Sequence, residues 1–139
     1  MDTLLVEKQT TNIQEEFLPL NGTDFIELYV GNAKQSAHFY KTAFGFQSLA
    51  YSGLETGNRE CASYVLRQGK ITLILTTPYN SSSLVAEHIK NHGDGVKVIA
   101  FTVDDAEYSY TQTTERGAEP LLFPTVKSDA DGEIKIAGI

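Results

Sequence analysis

Cysteine and basic residues are scarce in this sequence. One cysteine, Cys61, is present, so an internal disulfide and a multi-cysteine zinc site are both excluded. Lysine and arginine number 11 against 18 aspartates and glutamates, which gives a formal net charge of −7. Affinity for nucleic acids comes largely from cationic side chains that replace counterions on phosphates. The acidic balance therefore excludes a dedicated nucleic-acid-binding protein.

Long apolar runs and a targeting signal are also lacking. No segment of the sequence approaches the roughly 20 apolar residues that cross a bilayer. Residues 1–8 contain no basic region followed by an apolar stretch. The sequence therefore predicts no membrane association and a cytoplasmic location.

The composition is that of a globular protein. The chain has 139 residues, of which 41% are hydrophobic and 21% are charged, and this suits one domain. A chain of this length can bury roughly two thirds of the surface that its unfolded form exposes, without disulfides or structural metals. We expect a loosely packed leader over residues 1–23 and an ordered domain over residues 24–139.

Residues 24–76 have the pattern of a β-α-β-β-β unit. Side chains alternate between two faces over 24–30, which is typical of a strand. From Ala33 onwards the apolar period becomes that of a helix, which Asn32 can cap and Gly45 can end. Further strands are predicted over 46–52, 60–67 and 70–76.

A connector over 77–95, with one short helix, leads to a second unit at about 96–139. This unit opens with an apolar strand over 96–103. Asp104 is predicted to begin a helix as its N-cap, because Glu107 stands three residues later in a capping-box arrangement. Two strand candidates follow, at 121–123 and 134–139.

The two units form an internal repeat. Val30-Gly31-Asn32-Ala33 and Val103-Asp104-Asp105-Ala106 are the same strand-to-helix junction, 73 residues apart. At this spacing Ile139 aligns with position 66, so the second copy ends before the counterpart of the first unit's last strand. The predicted fold is therefore α+β, with tandem β-α-β-β-β units of which the second lacks its last strand. Either the chain is a fragment of a longer polypeptide, or a partner chain or the leader fills the gap.

Five sequence blocks carry a resemblance to a known family. Their sequences and their order resemble the N-terminal domain of 4-hydroxyphenylpyruvate dioxygenases. These enzymes belong to the vicinal oxygen chelate superfamily, together with glyoxalases and bleomycin-resistance proteins. The resemblance covers residue 17 to the end of the sequence. The blocks are 17–24 (FLPLNGTD), 29–35 (YVGNAKQ), 39–46 (FYKTAFGF), 53–57 (GLETG) and 92–97 (HGDGVK).

The resemblance implies the glyoxalase-like fold and, for the intact protein, an Fe(II)-dependent dioxygenase of tyrosine catabolism. Such an enzyme converts 4-hydroxyphenylpyruvate and O2 to homogentisate and CO2. In this family two histidines and one glutamate of the C-terminal domain hold the iron, and the substrate and O2 bind there. The N-terminal domain binds no metal, so we expect this chain alone to be inactive. We also expect a homo-oligomer, because an unpaired strand position and inner faces rich in Phe, Tyr, Leu and Ile would otherwise be exposed.

The opening strand places Phe25, Glu27 and Tyr29 on the face where the superfamily has its first metal ligand. Phe25 stands where metal-binding relatives have histidine, and phenylalanine cannot ligate. A carboxylate such as Glu27 on an inner sheet face is paired with Lys or Arg, exposed at a sheet end, or shifted in pKa for a purpose. We favour a structural role for Glu27, and we expect no catalytic, cofactor-binding or metal-binding residue in this chain.

The histidines and the cysteine have simple interpretations. His38 lies on the polar side of the first helix and is expected to be solvated. His88 and His92 have the i, i+4 spacing of metal ligands, but Glu87, the acid beside them, points to a different side of the helix. Cys61 is expected to be a small buried residue, because no base lies near it in the sequence.

Three alternatives remain open at this stage. The chain is part of a 4-hydroxymandelate synthase, which uses the same substrate and iron, or it is a stand-alone, metal-free module that binds a small ligand. The third is a small metal-dependent lyase or isomerase of the glyoxalase type, which the lack of a ligand triad disfavours.

Overall fold

The computed structural model of the protein describes residues 16–130 and 132–139. Positions 1–15 of the predicted leader lie outside the described residues. The elements follow in the order β1 (Thr23–Tyr29), α1 (Ala33–Phe44), β2 (Gln47–Ser52), β3 (Cys61–Gln68), β4 (Ile71–Pro78), α2 (Leu84–His92), β5 (Gly95–Phe101), α3 (Ala106–Glu115), β6 (Leu122–Ser128) and β7 (Glu133–Gly138), with one turn of 3-10 helix (Leu54–Thr56) between β2 and β3. The predicted β-α-β-β-β order of the first repeat is confirmed, and the second repeat reads β-α-β-β.

Helix α1 begins and ends where the sequence predicts. The Asn32 side chain accepts a hydrogen bond from the Gln35 backbone N–H at 3.0 Å, which satisfies one of the free donors of the first turn. Gly45 ends the helix with φ of 77°, a left-handed conformation that glycine adopts without a steric penalty. Ala33 and Ala37 are buried, so the helix approaches the sheet closely along its small residues.

Residues Leu20–Thr102 form one compact unit around a five-stranded sheet. The strand order is β2-β3-β4-β1-β5, with β1 parallel to β4 and antiparallel to β5. Helix α1 packs against β3 and β4. The core lies on this side of the sheet and consists of Val30, Ala33, Ala37, Phe46, Leu66, Leu73 and Leu75, with Ile26, Leu28, Tyr40 and Tyr64 packed against it.

The second compact unit contains α3, β6 and β7. Strands β6 and β7 form an antiparallel pair, and α3 contacts both of them. The Arg116 guanidinium lies 4.0 Å from the centroid of the Phe17 ring, a cation–π contact. Lys135 and Glu107 form an ion pair at 3.0 Å, and because both side chains are well exposed it adds little stability.

The predicted N-cap of α3 is wrong by one residue. Asp105, not Asp104, has the extended backbone of a cap, and its carboxylate accepts from the Glu107 and Tyr108 N–H groups at 2.9 and 3.1 Å. A capping side chain must reach the second or third amide of the helix. That reach selects Asp105 when Ala106 is the first helical residue.

The sequence repeat and the compact units divide the chain at different places. Strand β5 opens the second repeat in the sequence, but it pairs with β1 in the sheet of the first. The boundary between the compact units therefore follows Thr102, after β5 instead of before it.

None of the helices in the described residues is long and apolar enough to span a bilayer.

The loop between β2 and β3 is held by a tyrosine and a glutamate. The Tyr51 hydroxyl donates to Glu55 at 2.7 Å, and this bond lowers the pKa of the Glu55 carboxyl and raises the pKa of Tyr51. Gly53 lies beneath the Tyr51 ring, where a Cβ would collide with the phenol. The Thr56 hydroxyl accepts from the Gly53 N–H at 2.8 Å. Hydrogen bonds therefore cross this turn twice, from Tyr51 to Glu55 and from Gly53 to Thr56.

Truncation of a core side chain tests the assignment of Leu75 to the core. Leu75 is fully buried in β4, whereas Ile71 on the same strand is 53% exposed. We expect Leu75→Ala to lower the free energy of unfolding by about 2–5 kcal/mol, since it leaves a cavity in the core. Ile71→Ala is the matched control and should cost less than about 1 kcal/mol. Urea unfolding measures both, and equal losses would contradict the assignment.

A pH series tests the contact between Tyr51 and Glu55. A carboxyl whose pKa is lowered in the folded state, from its ordinary value of 4.5, adds stability above that value and loses it as the pH falls. We expect the difference in unfolding free energy between wild type and Tyr51→Phe to be present at about pH 6 and to shrink towards about pH 3. A difference that does not change with pH would show that the hydrogen bond to Glu55 is not its source.

Candidate functional site

The face of the sheet opposite the core carries a row of hydroxyl groups. Ser52 is the Cα partner of Ser63, Ser63 of Thr76, and Thr76 of Tyr29. Paired residues on neighbouring strands point to the same face, so one hydroxyl from each of β2, β3, β4 and β1 lies on this line. We call these four residues the hydroxyl row.

Glu27 lies beside the hydroxyl row and is connected to it. The Thr76 hydroxyl donates to the Glu27 carboxylate at 2.7 Å, and the Ser63 and Thr76 hydroxyl oxygens lie 2.9 Å apart. Because Thr76 has one hydroxyl proton and gives it to Glu27, Ser63 is the donor to Thr76. The result is a directed chain of hydrogen bonds that runs from β3 through β4 to β1. Thr76 is 3% exposed, so this series of hydrogen bonds is buried at its central residue.

Apart from the hydroxyl row, the strand neighbours of Glu27 are apolar side chains. Its Cα partners are Ile74 on β4 and Val98 on β5, and Phe25 and Tyr29 flank it along β1. Glu27 is half-buried. Lys135–Glu107 is the one ion pair within the described part of the chain. Glu27 is therefore held by the Thr76 hydroxyl, and a lysine or arginine partner, one of the three arrangements considered from the sequence, is not found among the described residues.

Tyr29 closes one end of this site. Burial raises the pKa of its phenol, and the nearby charges of Glu27 and Cys61 raise it further. The ring of His88, on α2, contacts the Tyr29 ring edge to face, with centroids 5.4 Å apart. The phenol is therefore neutral at physiological pH and can donate a hydrogen bond.

Cys61 is half-buried at the start of β3, on the same face as the hydroxyl row. The Asn58 amide donates to the Ser52 hydroxyl at 3.2 Å and contacts the Cys61 sulfur at 3.6 Å. The amide thereby joins the thiol to Ser52, and Cys61 packs beside polar groups instead of in the apolar core.

The histidines do not assemble into a metal site. His38 is exposed on α1, as expected. The rings of His88 and His92 lie 4.9 Å apart, but the described residues include no group of three or more His, Cys, Asp or Glu side chains that could hold a metal ion. Phe25, the residue at which the resemblance places the superfamily's first metal ligand, lies on β1. These residues do not fit the Fe(II) that the resemblance implies for the intact protein.

The sequence alone did not identify Thr76 and Ser63 as members of the site. Both lie on the strand face opposite the core, and the alternation of side chains along each strand is the signal that could have placed them there. Their partnership with Glu27 depends on strand register, because Glu27 and Thr76 are 49 positions apart in the chain.

A comparison with family models decides the assignment. Residues 15–138 match the family described as hydroxyphenylpyruvate dioxygenase, HPPD, N-terminal. The chain belongs to this family. The resemblance carried by the five sequence blocks is thereby confirmed.

Curated relatives of the HPPD family cover most of the chain. A 4-hydroxyphenylpyruvate dioxygenase of Danio rerio is 47% identical over 113 residues, which are 81% of this chain and 28% of the relative. One of Dictyostelium discoideum is 42% identical over 121 residues, which are 86% of this chain and 33% of the relative. The chain therefore spans about a third of the length of the curated relatives it matches.

Solved structures establish the fold. A 4-hydroxymandelate synthase variant from Streptomyces coelicolor has a TM-score of 0.80 at 32% identity, covering 86% of this chain and 35% of that chain. Methylmalonyl-CoA epimerase from Mycobacterium tuberculosis has a TM-score of 0.65 at 15% identity, covering 84% of this chain and 79% of that chain, which shows likeness of fold alone. The predicted glyoxalase-like α+β fold is confirmed.

The hydrogen-bond chain through Thr76 can be tested by isosteric substitution. Thr76→Val keeps the shape but removes the donor to Glu27, so we expect the free energy of unfolding to fall by about 1–3 kcal/mol. Thr76→Ser keeps the hydroxyl group and should retain more of the stability, less the cost of one methyl group. Urea unfolding of both variants decides the matter. Equal stability of the valine variant and wild type would contradict a stabilising role for this chain of bonds.

Proposed function

We propose that this chain is the N-terminal, non-metal-binding part of an Fe(II)-dependent 4-hydroxyphenylpyruvate dioxygenase. The full-length enzyme would convert 4-hydroxyphenylpyruvate and O2 to homogentisate and CO2 in tyrosine catabolism. The observation that carries the proposal is the match of residues 15–138 to the HPPD N-terminal family. Relatives with this name, 36–47% identical to the chain, support it.

The proposal assigns the iron and the reacting substrate to a C-terminal domain. Within the described residues no group of His, Cys, Asp or Glu side chains fits the metal, and Phe25 takes the place of a ligand on β1. No step of the reaction is therefore assigned to residues of this chain. Its proposed contribution is the glyoxalase-like scaffold and the contacts of a homo-oligomer in the cytoplasm.

We also propose the domain organisation that the repeat predicts. Residues 24–139 would be one vicinal oxygen chelate domain, with a first unit at about 24–76, a connector over 77–95 and an incomplete second unit from about 96. Residues 1–23 would be a leader. The support is the matching element order of the two repeats, β-α-β-β-β and β-α-β-β.

A 4-hydroxymandelate synthase is the second candidate. The likeness to a synthase variant, at a TM-score of 0.80 and 32% identity, favours it specifically. Both enzymes act on the same 2-oxo acid with Fe(II) and O2, and they differ in whether the ring or the side chain is hydroxylated. The product therefore discriminates between them, whereas the residues of this chain do not. A stand-alone, metal-free ligand-binding module of the same superfamily is a further alternative.

Product analysis tests the proposal. The full-length polypeptide that carries this sequence is incubated with Fe(II), O2 and 4-hydroxyphenylpyruvate, and the products are separated by chromatography. We expect homogentisate and one CO2 for each substrate consumed. 4-Hydroxymandelate as the product would identify the enzyme as a synthase instead of a dioxygenase. The absence of turnover would refute both assignments.

The 139-residue chain is the matched control in the same assay. We expect it to form no homogentisate, with or without added Fe(II), because the described residues offer no triad for the metal. Turnover by this chain alone would contradict its assignment as a non-metal-binding part.

A further inference from the structure

Asn21 and Gly22 lie in the short segment that precedes β1. Both residues are exposed, and this is the one place in the sequence where glycine follows asparagine. Gly22 has a φ of 124°, a conformation that favours glycine, and beyond its chain neighbours no atom of the described residues lies within 4 Å of where a Cβ would be. The peptide bond between the two residues is therefore accessible to water, and no side chain obstructs it on the glycine side.

Two backbone hydrogen bonds hold this segment against Thr102, the residue after β5. The Asn21 N–H donates to the Thr102 carbonyl at 2.8 Å, and the Thr102 N–H donates to the Gly22 carbonyl at 2.9 Å. Neither bond uses the nitrogen of Gly22, and no other backbone hydrogen bond among the described residues uses it. The Gly22 nitrogen can therefore react without the loss of a backbone hydrogen bond.

Asparagine is a thermolabile residue, because its side-chain amide can react with the backbone nitrogen of the next residue. The Gly22 nitrogen gives its proton to hydroxide and attacks Cγ of Asn21, and the new C–N bond closes a five-membered succinimide ring. The Cγ–Nδ2 bond breaks, and the nitrogen leaves as ammonia with a proton from water, which restores the hydroxide. Water then opens the ring. Its attack at Cγ gives aspartate, its attack at the backbone carbonyl carbon gives isoaspartate, and no oxidant or reductant takes part.

The other asparagines in the described part of the chain lack this arrangement. Asn32, Asn58 and Asn80 are followed by residues with a side chain, which hinders the attack. Their side-chain oxygens also accept hydrogen bonds from backbone N–H groups, which hold the amide in place. Asn91 lies within α2, where the nitrogen of the next residue belongs to the hydrogen bonds of the helix.

We propose that Asn21 is a site of spontaneous deamidation in the folded protein, which converts it to a mixture of aspartate and isoaspartate. Either product makes the formal net charge one unit more negative than −7. Isoaspartate also adds one carbon atom to the backbone between the two hydrogen bonds to Thr102, so the spacing no longer suits both bonds. The modification therefore marks the age of the protein at the entrance to β1, and it does not rest on the dioxygenase proposal.

Peptide mapping tests the proposal. The full-length polypeptide that carries this sequence is kept at physiological temperature and neutral pH for several days, digested at acidic pH and analysed by mass spectrometry. We expect the peptide with Asn21 to exchange ammonia for water faster than the peptides with Asn32, Asn58, Asn80 or Asn91, at a rate that rises in proportion to the hydroxide concentration. A rate at Asn21 no higher than that at Asn58 would overturn the proposal.

The same polypeptide unfolded in urea separates the effect of the fold from that of the sequence. Because no backbone hydrogen bond of the Gly22 nitrogen has to break, we expect the folded protein to react at Asn21 within about tenfold of the unfolded rate. Circular dichroism confirms that the sample without urea stays folded. A protein that keeps Asn21 intact while its unfolded form deamidates there would show that the fold protects this peptide bond, contrary to the proposal.

Asn21→Gln is the variant that removes the site. Glutamine keeps an exposed amide, but its longer side chain would have to close a six-membered ring, which forms more slowly. Isoaspartate is measured by methyl transfer from S-adenosylmethionine, with an isoaspartyl methyltransferase as the reagent. We expect Asn21→Gln to lose most of the signal of the aged wild type, whereas the matched control Asn91→Gln keeps it. An undiminished signal in Asn21→Gln would place the modification elsewhere and refute the proposal.

Discussion

The parallel register of β1 against β4 is the constraint on which both faces of the sheet depend. Leu28 opposite Leu75 places apolar side chains beneath α1, and Tyr29 opposite Thr76 places hydroxyls on the other face. A slip of one residue would exchange the two faces, burying polar groups and exposing leucines. The apolar core is therefore what holds Thr76 within reach of Glu27. Packing on one face sets the geometry of the polar groups on the other.

Much of the fold follows from local signals in the sequence. Asn32 and Gly45 delimit α1 because capping and left-handed termination act over three or four residues. The same locality explains the error at α3, where Asp104 and Asp105 are both competent caps and only the backbone conformation selects between them. The site beside β1 is harder to predict from the sequence. Glu27 could be singled out as unusual, but its partner Thr76 is distant in sequence, and alternation predicts a face without predicting which residues meet across strands.

The face opposite the core has polar groups but, among the described residues, no cluster that suits a metal. Its polar groups bond to one another, in a chain from Ser63 through Thr76 to Glu27. This agrees with membership of the HPPD N-terminal family and with the proposal that catalysis belongs to another domain.

Strand β5 has consequences for the behaviour of the chain in solution. Within the described residues it is the outer strand of its sheet, and Ile99 and Phe101 are each more than half exposed. Such an edge invites the addition of strands from other molecules. Lys97 counters this in two ways: it carries a charge, and it is the extra residue of a β-bulge, without a Cα partner between the Glu27–Val98 and Leu28–Val96 pairs. A charge and an irregular backbone at one residue thus both disfavour the addition of a further strand at this edge.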